Sequence, residues 1–168
     1  VNWVPGGLTG YYYDTGNFYD LEFTHVDPVI DFNWGPWSPD DILIRNDNFS
    51  VRWTGKILFN ETTAYTLYIH GDDGAKVWID SELIYDQWHP THPLQVIKFY
   101  QKGLHDIRVD YRDLSGNAAM QLEWEYGLTT RTPVPSSNLY YCPEWTLAQN
   151  LSEGNNTVYV WAEDMLGN

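Results

Sequence analysis

Two alternating patterns meet at an acidic turn in Tyr65-Thr66-Leu67-Tyr68-Ile69-His70-Gly71-Asp72-Asp73-Gly74-Ala75-Lys76-Val77-Trp78-Ile79-Asp80. Apolar side chains occupy positions 65, 67 and 69 before the turn and positions 75, 77 and 79 after it. A period of two predicts half-buried strands. We therefore expect a hairpin-like element with Asp72 and Asp73 at its tip. We also expect Gly71 and Gly74 to adopt backbone angles that a side chain forbids.

The acidic turn has two interpretations. Adjacent carboxylates on a stiff turn supply the hard oxygen ligands that calcium prefers. Asp and Gly are also ordinary turn-forming residues, and a turn of this composition often binds nothing. The pattern alone leaves both interpretations open.

Alternation of apolar and polar residues recurs along the chain, and no window of helical length shows a 3.6-residue period. Apolar Ile107, Val109 and Tyr111 are predicted to face a core, while the charged Arg108 and Asp110 between them face water. The same alternation appears in residues 49–54, 120–126 and 158–162. Short strands separated by Gly, Asn and Asp turns are typical of an antiparallel β-sandwich, so the predicted fold class is all-β.

Composition excludes several functions. A chain of 168 residues is long enough for one domain with a sizeable core. Its formal net charge of -14 argues against a nucleic-acid partner, because phosphates repel such a surface. No apolar run reaches the length of a membrane span. The single cysteine, Cys142, excludes an internal disulfide, and a free thiol of this kind is more often buried and inert than bonded to another chain.

N-glycosylation triplets are the sequence feature that indicates where in or on the cell the protein is located. Four Asn-x-Ser/Thr triplets begin at Asn48, Asn60, Asn150 and Asn155. Four such triplets in a short chain favour an extracellular or cell-surface glycoprotein.

Five segments in order resemble the PA-fourteen domain family of adhesins, flocculins and the anthrax protective antigen. They are Gly7-Leu8-Thr9-Gly10-Tyr11-Tyr12-Tyr13, residues 49–55, residues 65–88, residues 103–109 and residues 118–124 followed by Val134-Pro135. The resemblance covers about residues 7–141 and implies a β-sandwich, in agreement with the strand patterns.

The same resemblance implies a site. In the lectin branch of the family, paired aspartates joined by a peptide bond that is often cis hold a calcium ion, which binds sugar hydroxyls. Carried over, Asp72 and Asp73 are expected to be calcium ligands and sugar contacts. The loop at residues 112–118 is expected to complete the site through Asp113 or Asn117, although it is short and lacks the flocculins' spacing of Asn before alternate carbonyls.

Aromatic residues near the expected site have two interpretations. Trp88 and His89 are candidates for lining a carbohydrate site by ring stacking, and a packed or surface Trp is an equal alternative. His89 and His92 also have a spacing found in zinc sites, but no third ligand clusters with them, which favours a turn.

The end of the chain changes character. Residues 142–168 resemble the closing half of a bacterial immunoglobulin-like repeat, although about seven strands are needed for a whole one. We expect three parts: a leader strand at 1–6, the PA-fourteen sandwich at 7–141 and the partial immunoglobulin-like segment at 142–168. An incomplete sandwich has open edges, so self-association through the last segment is a further expectation.

These observations together predict a calcium-dependent carbohydrate-binding module of adhesin type on an extracellular surface protein. The alternative is a glycosylated structural subunit of a surface layer or filament, in which calcium only stabilises. An enzyme is not expected, because no nucleophile elbow, phosphate loop or zincin helix occurs.

Overall fold

The computed structural model describes residues 2–88 and 94–143, which form two antiparallel sheets. The eight-stranded sheet contains β1 (Val4–Pro5), β2 (Leu8–Tyr13), β3 (Leu21–Asp27), β5 (Ser50–Phe59), β7 (Gly74–Ile79), β8 (Glu82–Gln87), β10 (Gly103–Arg112) and β13 (Leu139–Tyr141). The five-stranded sheet contains β4 (Asp31–Gly35), β6 (Thr63–Asp72), β9 (Leu94–Tyr100), β11 (Ala118–Tyr126) and β12 (Thr132–Pro133). A short 3-10 turn, Ser136–Asn138, precedes β13. The all-β sandwich is confirmed.

The core lies between the two sheets and is built from the alternate residues that the sequence predicts. On β6, Tyr65, Leu67 and Ile69 are fully buried, and they belong to the same core cluster as Val77 and Ile79 on β7. Large aromatic side chains fill most of the remaining space, which suits a sandwich because each ring removes a large apolar area from water. The buried aromatic residues are Tyr12, Phe49, Trp53, Phe59, Tyr65, Tyr85, Tyr100, Tyr111 and Trp124.

The predicted hairpin around the acidic turn is wrong. β6 pairs with β9 and β11 in the five-stranded sheet, whereas β7 pairs with β8 and β10 in the other sheet. The turn is therefore a corner at which the chain passes from one sheet to the other. An alternating pattern fixes which side chains face inward, but it does not say whether two strands lie side by side or face to face.

A buried carboxylate ties β2, β3 and β5 together. Asp27 Oδ2 accepts hydrogen bonds from the Tyr12 hydroxyl and from Trp53 Nε1, each at 2.7 Å. Asp27 Oδ1 lies 2.8 Å from Nδ1 of the exposed His25. A Cβ on Gly10 would come within 2.5 Å of Asp27 Oδ2, so only glycine fits beside this cluster.

Asp110 lies on the outer face of β10, as the alternation predicts, but it does not face water. Its side chain is only 4% exposed because Arg52 and Arg108 cover it. The sequence pattern correctly placed Asp110 on the outer face of the strand. It did not predict that arginines shield this residue from water, because Arg52 comes from a strand 58 residues away.

The two ends of the described domain lie together. Val4 pairs with Tyr141 and Pro5 with Tyr140, so the leader segment contributes a strand to the sandwich. Cys142 is a free, partly buried thiol. His89, Asn150, Asn155 and nearly all of the immunoglobulin-like segment, with its predicted self-association, lie outside the described residues. The three predicted domain boundaries therefore stay predictions.

Candidate ligand site at the aspartate corner

The corner between β6 and β7 holds the paired aspartates. Asp72 is the last residue of β6, and β7 begins at Gly74, so Asp73 forms the link between the sheets. The Asp72–Asp73 peptide bond is cis, as the family resemblance implies. The main-chain oxygen of Asp72 accepts a 2.5 Å hydrogen bond from the Tyr111 hydroxyl on β10.

The glycines that flank the pair are needed for space rather than for unusual backbone angles. Neither Gly71 nor Gly74 is among the glycines with positive φ, which corrects the sequence expectation. A Cβ on Gly71 would lie 2.7 Å from the Ala75 Cβ, and one on Gly74 would lie 3.1 Å from the Trp88 carbonyl carbon. The corner is therefore packed tightly against its own strand and against the end of β8.

Asp73 fastens the loop after β10 to this corner. Its side chain is nearly buried, and its Oδ2 accepts hydrogen bonds from the backbone N–H groups of Leu114 at 2.6 Å and Ser115 at 3.0 Å. The corner and this loop therefore lie in contact.

Asp113, from the same loop, is the most unusual group in the site. It is 0% exposed, and its Oδ2 accepts one hydrogen bond, from the Asn48 backbone N–H at 3.1 Å. Its Oδ1 is buried without a hydrogen-bond partner among the described residues. Burial raises the pKa of Asp113 to about 6 against the effect of that hydrogen bond, and the negative charges of Asp73, Asp47 and Asp72 add to the rise.

Two further side chains join the acidic site. Asp47, which the sequence analysis did not single out, accepts a hydrogen bond from the Gly116 N–H at 2.8 Å and holds the tip of the loop. Burial, and then the charges of Asp113, Asp73 and Asp72, raise the pKa of Tyr111, so its hydroxyl remains a donor. Asp47 carries no local sequence signal, because its partner lies 69 residues away.

The remaining predicted site residues are less engaged. Asn117 is exposed in the same loop. Trp88 stacks on Phe18 with 6.1 Å between ring centroids, and the Arg112 guanidinium lies 4.4 Å from its ring centroid. Since both contacts are internal, the ring is packed in the manner of the alternative interpretation. Its role in sugar stacking stays a prediction, as does that of His89.

The donor set suits a hard cation. Across the described residues, no group of three or more histidine, cysteine or acidic side chains is already arranged to hold a metal ion. The buried, unpartnered Oδ1 of Asp113 nevertheless needs a partner, because an unsatisfied buried oxygen costs free energy. Carboxylate oxygens are what calcium prefers, so Asp72, Asp73 and Asp113 are the residues that would hold the ion that the family resemblance implies.

The two sheets and the cis Asp72–Asp73 peptide bond define a β-sandwich domain. Its acidic candidate site lies at the corner where the chain passes from one sheet to the other. The pattern of the PA14 domain matches residues 4–137, and the chain belongs to the PA14 domain family. Within the described residues, no helix is long and apolar enough to cross a bilayer.

Similar proteins fall into two groups. Anti-sigma-I factor RsgI3 of Acetivibrio thermocellus is 35% identical over 142 residues, which is 83% of this chain and 22% of that protein. A solved anti-sigma factor domain-containing protein from Clostridium clariflavum is 38% identical with a TM-score of 0.76, over 86% of this chain and 50% of the solved chain. This chain thus spans between about a fifth and a half of these relatives.

The second group shares the fold at low identity. The PA14 sugar-binding domain from RTX adhesin is 13% identical with a TM-score of 0.65, and the match covers 83% of this chain and 100% of that domain. At this identity the likeness shows the fold alone.

The predicted function, a calcium-dependent adhesin-type lectin module, is therefore wrong, and so is the alternative of a glycosylated structural subunit. The relatives above 30% identity are anti-sigma factor proteins, whereas the adhesin domain is similar only in fold. The paired aspartates did not distinguish an adhesin lectin from an anti-sigma factor domain. They form the corner at which the chain passes from one sheet to the other.

The predicted extracellular or cell-surface location is corrected with the function, since the relatives' names describe regulators of a sigma factor. The glycosylation triplets that supported it are also engaged in the fold. Ser50, the hydroxyl residue of the first triplet, donates to the Thr15 carbonyl at 2.6 Å. The Asn60 side-chain amide donates to the Tyr126 hydroxyl at 3.1 Å.

Proposed function

We propose that this chain is the ligand-sensing domain of an anti-sigma-factor-type regulatory protein and that it binds its ligand at the aspartate corner. The likeness to anti-sigma factor proteins over more than four fifths of the chain supports the regulatory role. One observation carries the binding role: the buried Asp113 Oδ1 that has no partner among the described residues. A ligand that supplies the missing contact to this oxygen binds the folded state and therefore stabilises it.

Calcium is the proposed cofactor of this corner. Asp72, Asp73 and Asp113 would hold it, and the ion would supply positive charge and open coordination positions for ligand oxygens. Asp73 and Asp47 already fix the loop through the backbone N–H groups of Leu114, Ser115 and Gly116. Little ordering of the protein is therefore left to oppose binding.

The proposed ligand partner is a carbohydrate that acts as a signal to the regulatory protein. The sugar-binding PA14 domain from RTX adhesin supports this class of ligand by its fold. We also propose that the domain binds without catalysing a reaction, because the corner offers carboxylates and backbone groups but no activated nucleophile.

Calorimetry with calcium tests the corner. The unsubstituted chain is expected to release or absorb heat on calcium addition, and Asp113→Asn and Asp73→Asn are expected to abolish that signal. Asp41→Asn is the matched control, because Asp41 is an exposed carboxylate in a different loop. Equal heats for the Asp113 and Asp41 variants would contradict the assignment.

A reporter assay tests the regulatory role. This chain would replace the matching 142-residue region of the Acetivibrio thermocellus relative, and transcription dependent on its sigma factor would be measured with and without added saccharides. We expect a saccharide-dependent change that Asp73→Asn removes. A response that is identical with and without the substitution would contradict ligand sensing at the corner.

A further inference from the structure

Positive charge is concentrated on four neighbouring strands of the eight-stranded sheet. β2, β5, β7 and β10 contain five of the chain's nine Lys and Arg residues but only two of its 23 Asp and Glu residues. The five cations are Arg52, Lys56, Lys76, Arg108 and Arg112. In a chain with a net charge of -14, these strands have more cations than carboxylates, and their outer surface is here called the basic face. Two of the cations are paired: Lys56 with Asp106 and Lys76 with Asp86.

Strand register brings the basic face together on the outside of the sandwich. Arg52 on β5 pairs with Tyr11 on β2 and with Asp110 on β10. Arg108 on β10 pairs with Trp78 on β7. The residues on either side of Arg52 and of Arg108 point into the core. Positions on the basic face therefore alternate strictly with core-facing positions along β5 and β10.

A clamp of two arginines around one carboxylate forms the centre of the basic face. Asp110 Oδ1 accepts from Arg52 Nε at 2.8 Å and from Arg108 Nε at 2.9 Å. Asp110 Oδ2 accepts from Arg52 Nη2 at 2.9 Å and from Arg108 Nη2 at 2.6 Å. Burial raises the pKa of Asp110, but these hydrogen bonds outweigh it and leave the pKa below its usual value. The clamp thus carries one net positive charge.

The two guanidinium groups keep donors for a ligand. Among the described residues, Nη1 of neither arginine donates to a protein acceptor. Both groups are also held in place by aromatic rings, since Arg52 lies 4.4 Å from the centroid of Phe18 and Arg108 lies 4.6 Å from that of Trp78. Fixed guanidinium donors recognise carboxylates well, because less side-chain freedom is lost on binding.

An open groove of about 640 Å³ runs over this clamp. Its lining combines the two arginines with aromatic rings, hydroxyl groups and one carboxylate, from Tyr11, Tyr13, Thr54, Trp78, Ser81 and Asp106. The Asp106 carboxylate is already paired with Lys56 at 2.8 Å. This volume lies within the range of small-ligand sites. Rings, hydroxyls and cations in one groove provide apolar contact, neutral hydrogen bonds and charge at the same time.

We propose that this groove is a second binding site, distinct from the aspartate corner, for a saccharide whose units carry carboxylates, such as a uronic acid chain. The fixed arginine donors and the local positive charge select the carboxylates, while the aromatic rings and hydroxyls suit sugar rings. A peptide fits less well, because peptide strands bind at sheet edges, and here the backbone groups are already paired within the sheet.

The site needs no metal ion, so its test is separable from that of the corner. Calorimetry would be done in chelator with a hexamer of β1,4-linked glucuronic acid and with cellohexaose, which carries a hydroxymethyl group in place of each carboxylate. We expect binding of the glucuronate hexamer to be at least about tenfold tighter, because charge-assisted hydrogen bonds are stronger than neutral ones. Raising NaCl should weaken it, since the groove is open to solvent.

Substitutions place the contact. Arg108→Gln is expected to weaken glucuronate binding roughly 10- to 100-fold. Tyr11→Ala is expected to weaken it without disturbing the clamp, and it decides the matter if the Arg108 variant does not fold. Arg131→Gln is the matched control, because Arg131 also pairs with a carboxylate, Glu123, and stacks on a ring, Tyr68, but lies at the other sheet.

Three outcomes would overturn the proposal. The first is equal affinity for the glucuronate hexamer and cellohexaose. The second is an Arg131→Gln loss as large as that of the groove variants. The third is equal binding of hexaglutamate with equal sensitivity to Arg108→Gln, which would make the groove a surface for acidic peptides. Any of these with intact calcium heats leaves the proposed function of the corner standing.

Discussion

Asp27 and Asp113 are both buried carboxylates, and they differ in how completely their oxygens are partnered. Asp27 receives donors from Tyr12, Trp53 and His25. Asp113 receives one backbone donor, and its other oxygen has no partner among the described residues. A partnered buried carboxylate joins strands, whereas an unpartnered one costs stability until something binds it. The difference separates a structural centre from the proposed ligand site within one fold.

The largest expected effect is at Asp27. Asp27→Ala leaves the Tyr12 hydroxyl and the Trp53 indole N–H buried without an acceptor, so we expect a loss of about 3–5 kcal/mol in the free energy of unfolding. Urea denaturation followed by tryptophan fluorescence measures it. Asp31→Ala is the control, because Asp31 is exposed and, within residues 2–88 and 94–143, its side chain accepts a hydrogen bond only from Gln121. A loss no larger than that of the control would remove Asp27 from the structural class.

Asp113→Asn is expected to change stability in the opposite direction. In chelator at neutral pH, the substitution removes a buried negative charge beside Asp73 and Asp72, and we expect a gain on the order of 1–2 kcal/mol. Added calcium should reverse the order, because only the unsubstituted chain can use the ion. If Asp113→Asn destabilises in chelator by as much as Asp27→Ala does, the two carboxylates are not different in kind.

The pH dependence sharpens the same contrast. The pKa of Asp113 is raised to about 6 in the folded chain, so between its ordinary value and 6 the folded state binds more protons than the unfolded state. Stability from this group therefore increases as pH falls from about 7 towards about 4. In chelator, we expect the stability of the unsubstituted chain to rise relative to that of Asp113→Asn as the pH falls over this window. Thermal unfolding measures both stabilities. A constant difference between the two proteins would contradict the raised pKa.

The smallest expected effect is at His25. His25 is 63% exposed, and its loss leaves Asp27 with both of its buried donors. We expect His25→Ala to cost at most about 1 kcal/mol, as is usual for exposed ion pairs. A cost close to that of Asp27→Ala would show that the imidazole, rather than Tyr12 and Trp53, holds the cluster together.

The sequence predicted the strands and their inward faces because alternation is a local signal. Positions 65, 67, 69, 77 and 79 are all in the core, as predicted. The sheet to which each strand belongs was not predictable, since β6 and β7 are adjacent in sequence and separate in the fold. The requirement for Gly71 and Gly74 also has a non-local cause, which is the approach of Ala75 and Trp88.

The residues of the candidate site were predictable only as far as the family motif extends. The family resemblance located Asp72, Asp73 and the loop of Asp113, including the cis peptide bond. It gave no sign of Asp47, Asp27 or the arginine clamp, because each depends on partners 15 or more residues away. Tyr12 and Trp53 at inward positions were the available signal for Asp27, since a buried hydroxyl and indole N–H both need an acceptor.

The pairing of Val4 with Tyr141 has a mechanical consequence. Because the chain enters and leaves the sandwich on adjacent antiparallel strands, tension on the flanking polypeptide pulls β1 and β13 apart end first. Their hydrogen bonds then bear the load one after another instead of together. In a longer protein under tension, the domain opens first at its own attachment point, while the corner and the basic face, carried by longer strands, stay folded.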